Sequence, residues 1–158
     1  IAFHDGKNEE ARVQMSVAAL EAGIAFNNAS VTIIHGMSRP IGALFHVAHG
    51  LSNAMLMKEC LRFALEGAYD RFAVLGRKIG VATANDSDKE ASEKFLAAIE
   101  NITKELETPT LEQFGINKDE FFNQIDKMAF DAMDSGSPQN TIREVTEQEV
   151  KQIYKNLW

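Results

Sequence analysis

Three of the four histidines, His35, His46 and His49, fall within residues 35–50, interleaved with Arg39, Pro40 and Gly42. Imidazole is the commonest metal ligand and the side chain that changes charge most easily near neutral pH. A proline and glycines inside an otherwise apolar run predict a backbone bend at Pro40–Gly42. On that reading His35 ends one helix, His49 begins the next, and the two rings face each other across the bend. Such a pair could share one metal ion, yet a catalytic metal site generally uses three protein ligands and keeps a position open. Glu21, Asp70 and the other carboxylates show no spacing that nominates them for the remaining places. From chemistry alone the sequence supports half a metal site. The bland alternative for any one histidine is a hydrogen-bonded or surface residue, and that is the commoner outcome.

The other reactive side chains carry less. His46 stands three residues before His49, so on a helix the two share roughly one face; it reads equally as a ligand, a supporting group or an ordinary polar residue. His4 reads as a surface residue near the start of the chain. Cys60, in an apolar helix, reads as a small core residue rather than a nucleophile. No Gly-x-Ser-x-Gly elbow supports a hydrolase triad. No Gly-x-Gly-x-x-Gly follows a strand, so no dinucleotide loop is expected within these residues.

The elements that must position these groups read as helices. Asn8 caps a helix from Glu9 in which Val13, Val17, Leu20, Ile24 and Phe26 recur among alanines, the pattern of a helix packed on more than one side. Val31, Ile33 and Ile34 fit strand or helix; helix is favoured because no second strand candidate exists to pair with them. A helix over 51–63 follows, then one through Tyr69, Phe72, Ala73 and Leu75 that Gly76 or Gly80 would stop. Asp86 or Ser87 caps a helix to about Leu106, with Phe95, Ile99, Ile102 and Leu106 inward. Thr110 caps a short turn, and Asn117 opens a helix with Phe121, Phe122, Ile125, Met128, Ala129 and Met133 inward. Residues 134–140 form a loop, and Thr146 with Glu149 is a capping box for the last helix. The expectation is an all-α fold: seven or eight helices in a single bundle spanning residues 1–158.

The totals bound the class. A chain of 158 residues suits one domain with a real core. A net charge of -7 argues against nucleic acid or an anionic membrane as partner. No apolar run reaches a membrane span of about 18 to 20 residues. The first residues carry no signal-peptide pattern, and they lack an initiator Met, which suggests a piece of a longer protein. A single cysteine suits a reducing cytoplasm.

Three strings carry a resemblance: Ala22-Gly23-Ile24-Ala25-Phe26-Asn27-Asn28-Ala29, His35-Gly36-Met37-Ser38-Arg39-Pro40-Ile41-Gly42-Ala43, and His49-Gly50-Leu51-Ser52-Asn53-Ala54. In that order they closely resemble the iron-containing (group III) alcohol dehydrogenases. The Gly136-Ser137-Pro138 segment, followed by Thr146, Val150 and Tyr154, is similar to that family's closing loop and helix. The likeness runs from about Asn8 to the end. It implies the later part of an all-helical C-terminal domain, belonging to a two-domain enzyme whose N-terminal α/β domain binds NAD or NADP. It further implies a metal, usually Fe(II) and sometimes Zn(II), held by an Asp, a His and two further His. The last two match His35 and His49, and the first two belong to an upstream helix outside these residues. Phe26 matches a position lining the substrate pocket, and Met133 lies near that pocket. Arg39 stands where many members have a histidine close to the nicotinamide, so a contact to cofactor or substrate is implied for it. Arginine stays protonated and cannot relay a proton as a base. The expected function is interconversion of alcohols with aldehydes or ketones, in a homo-oligomer at full length; these residues alone would be inactive. The alternative is a helical binding or scaffold domain whose histidines are structural.

Overall fold

Short side chains placed at the right offsets start most of the helices. In the computed structural model, which describes all 158 residues, Asn8 Oδ1 accepts from the Ala11 amide at 3.0 Å and opens α1 (Glu9–Ala29). Ser87 with Glu90, Thr110 with Gln113, and Thr146 with Glu149 form full capping boxes at α5 (Asp88–Glu105), α6 (Leu111–Phe114) and α8 (Glu147–Lys155). Asn117 caps α7 (Lys118–Asp134). Each satisfies amides that a helix start otherwise leaves without partners. With α2 (Ile33–Phe45), α3 (His49–Leu65), α4 (Tyr69–Lys78) and a 3-10 turn at Pro138–Asn140, the chain has eight α-helices and no strand. The all-α expectation holds, including for residues 33 and 34. No single helix is long and apolar enough to cross a membrane.

The chain divides into two compact units, Ile1–Val31 and Thr32–Trp158. The first is a turn and α1. None of the residues of α1 is buried, and Val13, Leu20, Ile24 and Phe26 are all more than half exposed. The expected packed helix is therefore not enclosed here. A helix apolar on all sides is built to be surrounded, and nothing within residues 1–31 surrounds it.

The second unit is built on α2. Ile33, Met37 and Ile41, spaced by four, form one fully buried stripe that packs against α3 and α7. They meet Leu56 and Cys60 from α3, Phe121, Ile125 and Met128 from α7, and Val150, Ile153 and Tyr154 from α8 in one core. The Phe121 ring lies 5.5 to 5.9 Å from those of Phe45, Tyr154 and Trp158. Off to one side α4 packs on α5, with Ala73 and Ala91 buried between them.

Three sequence expectations change in detail. Pro40 lies inside α2, which runs unbroken to Phe45; the break comes at residues 46–48, after His46 takes the left-handed conformation with φ 56°. His35 thus sits near the start of α2 instead of ending a helix. Proline removes one helical hydrogen bond and disturbs the turn before it. Here Gly36, Met37 and Ser38 of that turn are buried and Arg39 is exposed, and the Tyr154 hydroxyl donates to the Met37 carbonyl at 2.7 Å. Gly76 does not stop α4; it lets α5 approach, since a Cβ on it would stand 2.5 Å from the Ala91 carbonyl oxygen. For the same reason the buried residues of α5 are Ala91, Ser92 and Leu96, while Ile102 is 50% and Leu106 42% exposed. Small residues set this interface, so the large apolar ones mislead.

Candidate metal centre

His35 is the third residue of α2 and His49 the first of α3, and the short break between the helices brings their rings to 5.2 Å between centroids at 55°. The pairing expected from the sequence is thus present, made by a turn a few residues later than expected. His35 is partly buried and His49 exposed.

Side chains one helical turn away hold the His49 ring. The Ser38 hydroxyl donates to the His35 carbonyl at 3.2 Å and lies 3.4 Å from His49 Nδ1. Asn53 Nδ2 lies 3.2 Å from His49 Nε2. One tautomer satisfies all three contacts: Nδ1–H donates to Ser38 Oγ, and Nε2 accepts from the Asn53 amide. In that tautomer a metal would take the Nε2 lone pair in place of the Asn53 amide. The Asn53 Oδ1 atom is buried with no partner. Beneath the pair, the Ser52 hydroxyl donates to the His49 carbonyl at 3.0 Å and to that of Ser38 at 3.5 Å. Burial, then the His49 ring and the Arg39 guanidinium, lower the pKa of His35. Each disfavours the charged form of His35 and so favours the neutral imidazole that can ligate.

No third His, Cys, Asp or Glu completes a metal-binding group with this pair. Two imidazole nitrogens fit Fe(II) or Zn(II) as part of a mixed donor set, so these residues suit half of such a site.

The remaining sequence candidates lie elsewhere. Arg39, exposed, donates from Nη1 to Ser137 Oγ at 3.1 Å. Met133 is partly buried near the end of α7, and its carbonyl accepts from Gln139 Nε2 at 3.0 Å. Phe26 belongs to the first unit and is 57% exposed. His46 caps the end of α2, with its side chain exposed. Cys60 is fully buried, its thiol pushed far above the usual range by burial, beside Met37 Sδ at 3.7 Å; it is a core residue, as expected. Sequence reasoning missed Ser38 and Asn53. Their offsets of three from His35 and four from His49 were the available signal, since such pairs share a helix face.

Along its whole length, residues 1–158, the chain matches the model of the Fe-containing alcohol dehydrogenase family, C-terminal. It belongs to that family. This member of the iron-containing alcohol dehydrogenases is 32% identical over 154 residues to the 1,3-propanediol dehydrogenase of Klebsiella pneumoniae, covering 97% of this chain and 39% of that one. It is 30% identical over 152 residues to the NADPH-dependent butanol dehydrogenase of Clostridium saccharobutylicum, again covering 96% of this chain and 39% of the relative. Among solved structures it superposes on a 1,3-propanediol oxidoreductase with a TM-score of 0.92 at 30% identity, covering 99% of this chain and 40% of the other. An alcohol dehydrogenase from Oenococcus oeni gives 0.90 at 27% identity, with the same coverage of 99% and 40%. The chain spans about two fifths of the length of these relatives.

Proposed function

We propose that residues 1–158 are the metal-holding C-terminal part of an NAD- or NADP-linked alcohol dehydrogenase that interconverts alcohols with aldehydes or ketones. The apposition of His35 and His49 on consecutive helices, rings 5.2 Å apart, carries the reading. It gives the family's iron two nitrogen donors, and membership of the family supplies the context. When bound, Fe(II), or Zn(II) in its place, supplies Lewis-acid polarisation of the substrate oxygen. His35 and His49 would hold it through neutral imidazoles, and Ser38 orients the His49 ring by accepting a hydrogen bond from its Nδ1–H. By likeness to the family's pattern, Phe26 and, separately, Met133 are the apolar residues assigned to meet the substrate. Arg39 cannot act as a base. Its guanidinium has five N–H donors, of which the Ser137 bond uses one, and others are available to the cofactor or substrate. The preceding part of the full-length protein supplies the nucleotide domain and the remaining ligands. The full-length enzyme is a homo-oligomer working in the cytoplasm.

The test is metal content and turnover in the full-length protein. His35→Ala and His49→Ala should each cut bound iron and alcohol oxidation together. Unchanged metal and turnover in His35→Ala would favour a helical scaffold with structural histidines. Residues 1–158 alone should show no turnover with NADH and an aldehyde, because they hold too few donors and no nucleotide site; metal-dependent turnover would refute this.

A further inference from the structure

The start of α2, which carries His35, is held by residues more than a hundred positions away in the chain. Its own N-cap residue, Thr32, makes no side-chain capping bond. The Ile33 amide, one of those a helix start leaves without an internal partner, donates instead to Thr141 Oγ1 at 3.1 Å. One turn on, Gly36 lies against Pro138 so closely that a Cβ would stand 2.8 Å from Pro138 Cδ. A further turn on, Arg39 Nη1 donates to Ser137 Oγ, a residue only 4% exposed. Positions 33 and 36, and again 36 and 39, are neighbours on the helix surface, and the first two bracket His35.

The holding turn is itself fastened to α7. The Ser135 hydroxyl donates to the Ala132 carbonyl at 2.7 Å and accepts from the Ser137 amide at 3.3 Å. Gln139 Nε2 donates to the Met133 carbonyl at 3.0 Å, and Pro138 is fully buried. The turn therefore fixes the first two turns of α2 relative to the end of α7.

We propose that the Ser137–Thr141 turn is a positioning clamp that sets where the His35 imidazole stands, with Thr141 capping α2 from a distance and Ser137 and Pro138 fixing its rotation. This rests on His35 being a metal ligand. A ligand displaced by a fraction of an ångström weakens a metal site without being lost from it, and groups supporting ligands commonly change affinity by about 10- to 100-fold. The clamp acts through His35 and touches no reacting atom, so Thr141, Ser137 and Pro138 are positioning residues.

The experiment uses the full-length protein stripped of metal and reloaded with Co(II). Affinity is read by competition with a chelator, and site geometry by the visible ligand-field spectrum. Thr141→Val should weaken Co(II) binding by about tenfold and alter the spectrum, and Thr141→Ser should restore both. Ser137→Ala should act in the same direction and serves as the readout if Thr141→Val does not fold. His35→Ala, run alongside, tests the underlying reading: retention of Co(II) affinity by this variant would mean that His35 is no ligand, and the clamp would fall with it. If His35→Ala loses Co(II) while Thr141→Val and Ser137→Ala keep wild-type affinity and spectrum, with only a lower melting temperature, the turn is purely structural and the proposal is overturned.

Discussion

Replacing Gly76 by alanine tests how closely α4 and α5 approach. In an exposed helix this change gains about 0.8 to 1 kcal/mol, because glycine loses more backbone freedom on folding. At Gly76 the added Cβ would meet the Ala91 carbonyl oxygen at 2.5 Å, with the Ala91 carbonyl carbon and Phe95 Cβ both at 3.4 Å. The first of these is backbone, so no side chain can swing aside and the helices must separate. Overpacking of this kind costs about 1 to 3 kcal/mol, and the surrounding residues, Ala73 and Ala91, are fully buried with nowhere to give. Taking the upper part of that range less the helix gain leaves a net loss of about 1 to 2 kcal/mol. For a chain of this size that lowers Tm by about 2 to 8 °C. Gly23→Ala is the internal control, since a Cβ there meets nothing within 4 Å; it should raise helicity or leave Tm unchanged. Thermal melts followed by circular dichroism on both variants suffice. If Gly76→Ala melts at or above the wild type, as Gly23→Ala should, the close approach at Ala91 is wrong.

Two further outcomes follow from individual contacts. Tyr154→Phe removes the fully buried hydroxyl that donates to the Met37 carbonyl; a loss of about 1 kcal/mol is expected, and a urea midpoint equal to wild type would show that the bond adds nothing beside Pro40. Asp86 is held at about 2, below its ordinary 3.8, first by the Lys94 ammonium and then by the Thr83 amide. A depressed folded value stabilises above the unfolded one and is lost as pH falls, here between about 4 and 2. Asp86→Asn should therefore lower the urea midpoint at pH 6 and lower it much less at pH 2, and an equal loss at both would contradict the assignment.

Where a signal is local, the sequence was readable. Asn8, Asn117 and the Thr146–Glu149 pair start their helices as expected, because a cap needs only the right side chain within three residues of its amide. The approach of His35 and His49 was anticipated, but from a bend at Pro40–Gly42, whereas both stand at helix starts and residues 46–48 bring them together. The position of the break was not. Proline normally argues against a helix interior, yet Pro40 is buried inside α2, which continues to Phe45. The inward face of α5 was misread because Ala91 and Gly76, small residues with little apolar weight, decide which side packs.

The environment of α1 could be anticipated from composition but is not supplied within its own unit, and this bears on the functional reading. Its exposed apolar residues include Phe26, assigned above to the substrate pocket. The chain spans about two fifths of its relatives, and the two imidazoles supply too few donors for a catalytic metal. The open helix and the incomplete ligand set thus make the same demand. Under the proposed function, the apolar surface of α1 and the open places at the metal are each left to groups that the rest of the enzyme would supply. Within this chain, Thr141 and Ser137 hold the start of α2, which carries His35, against the end of α7.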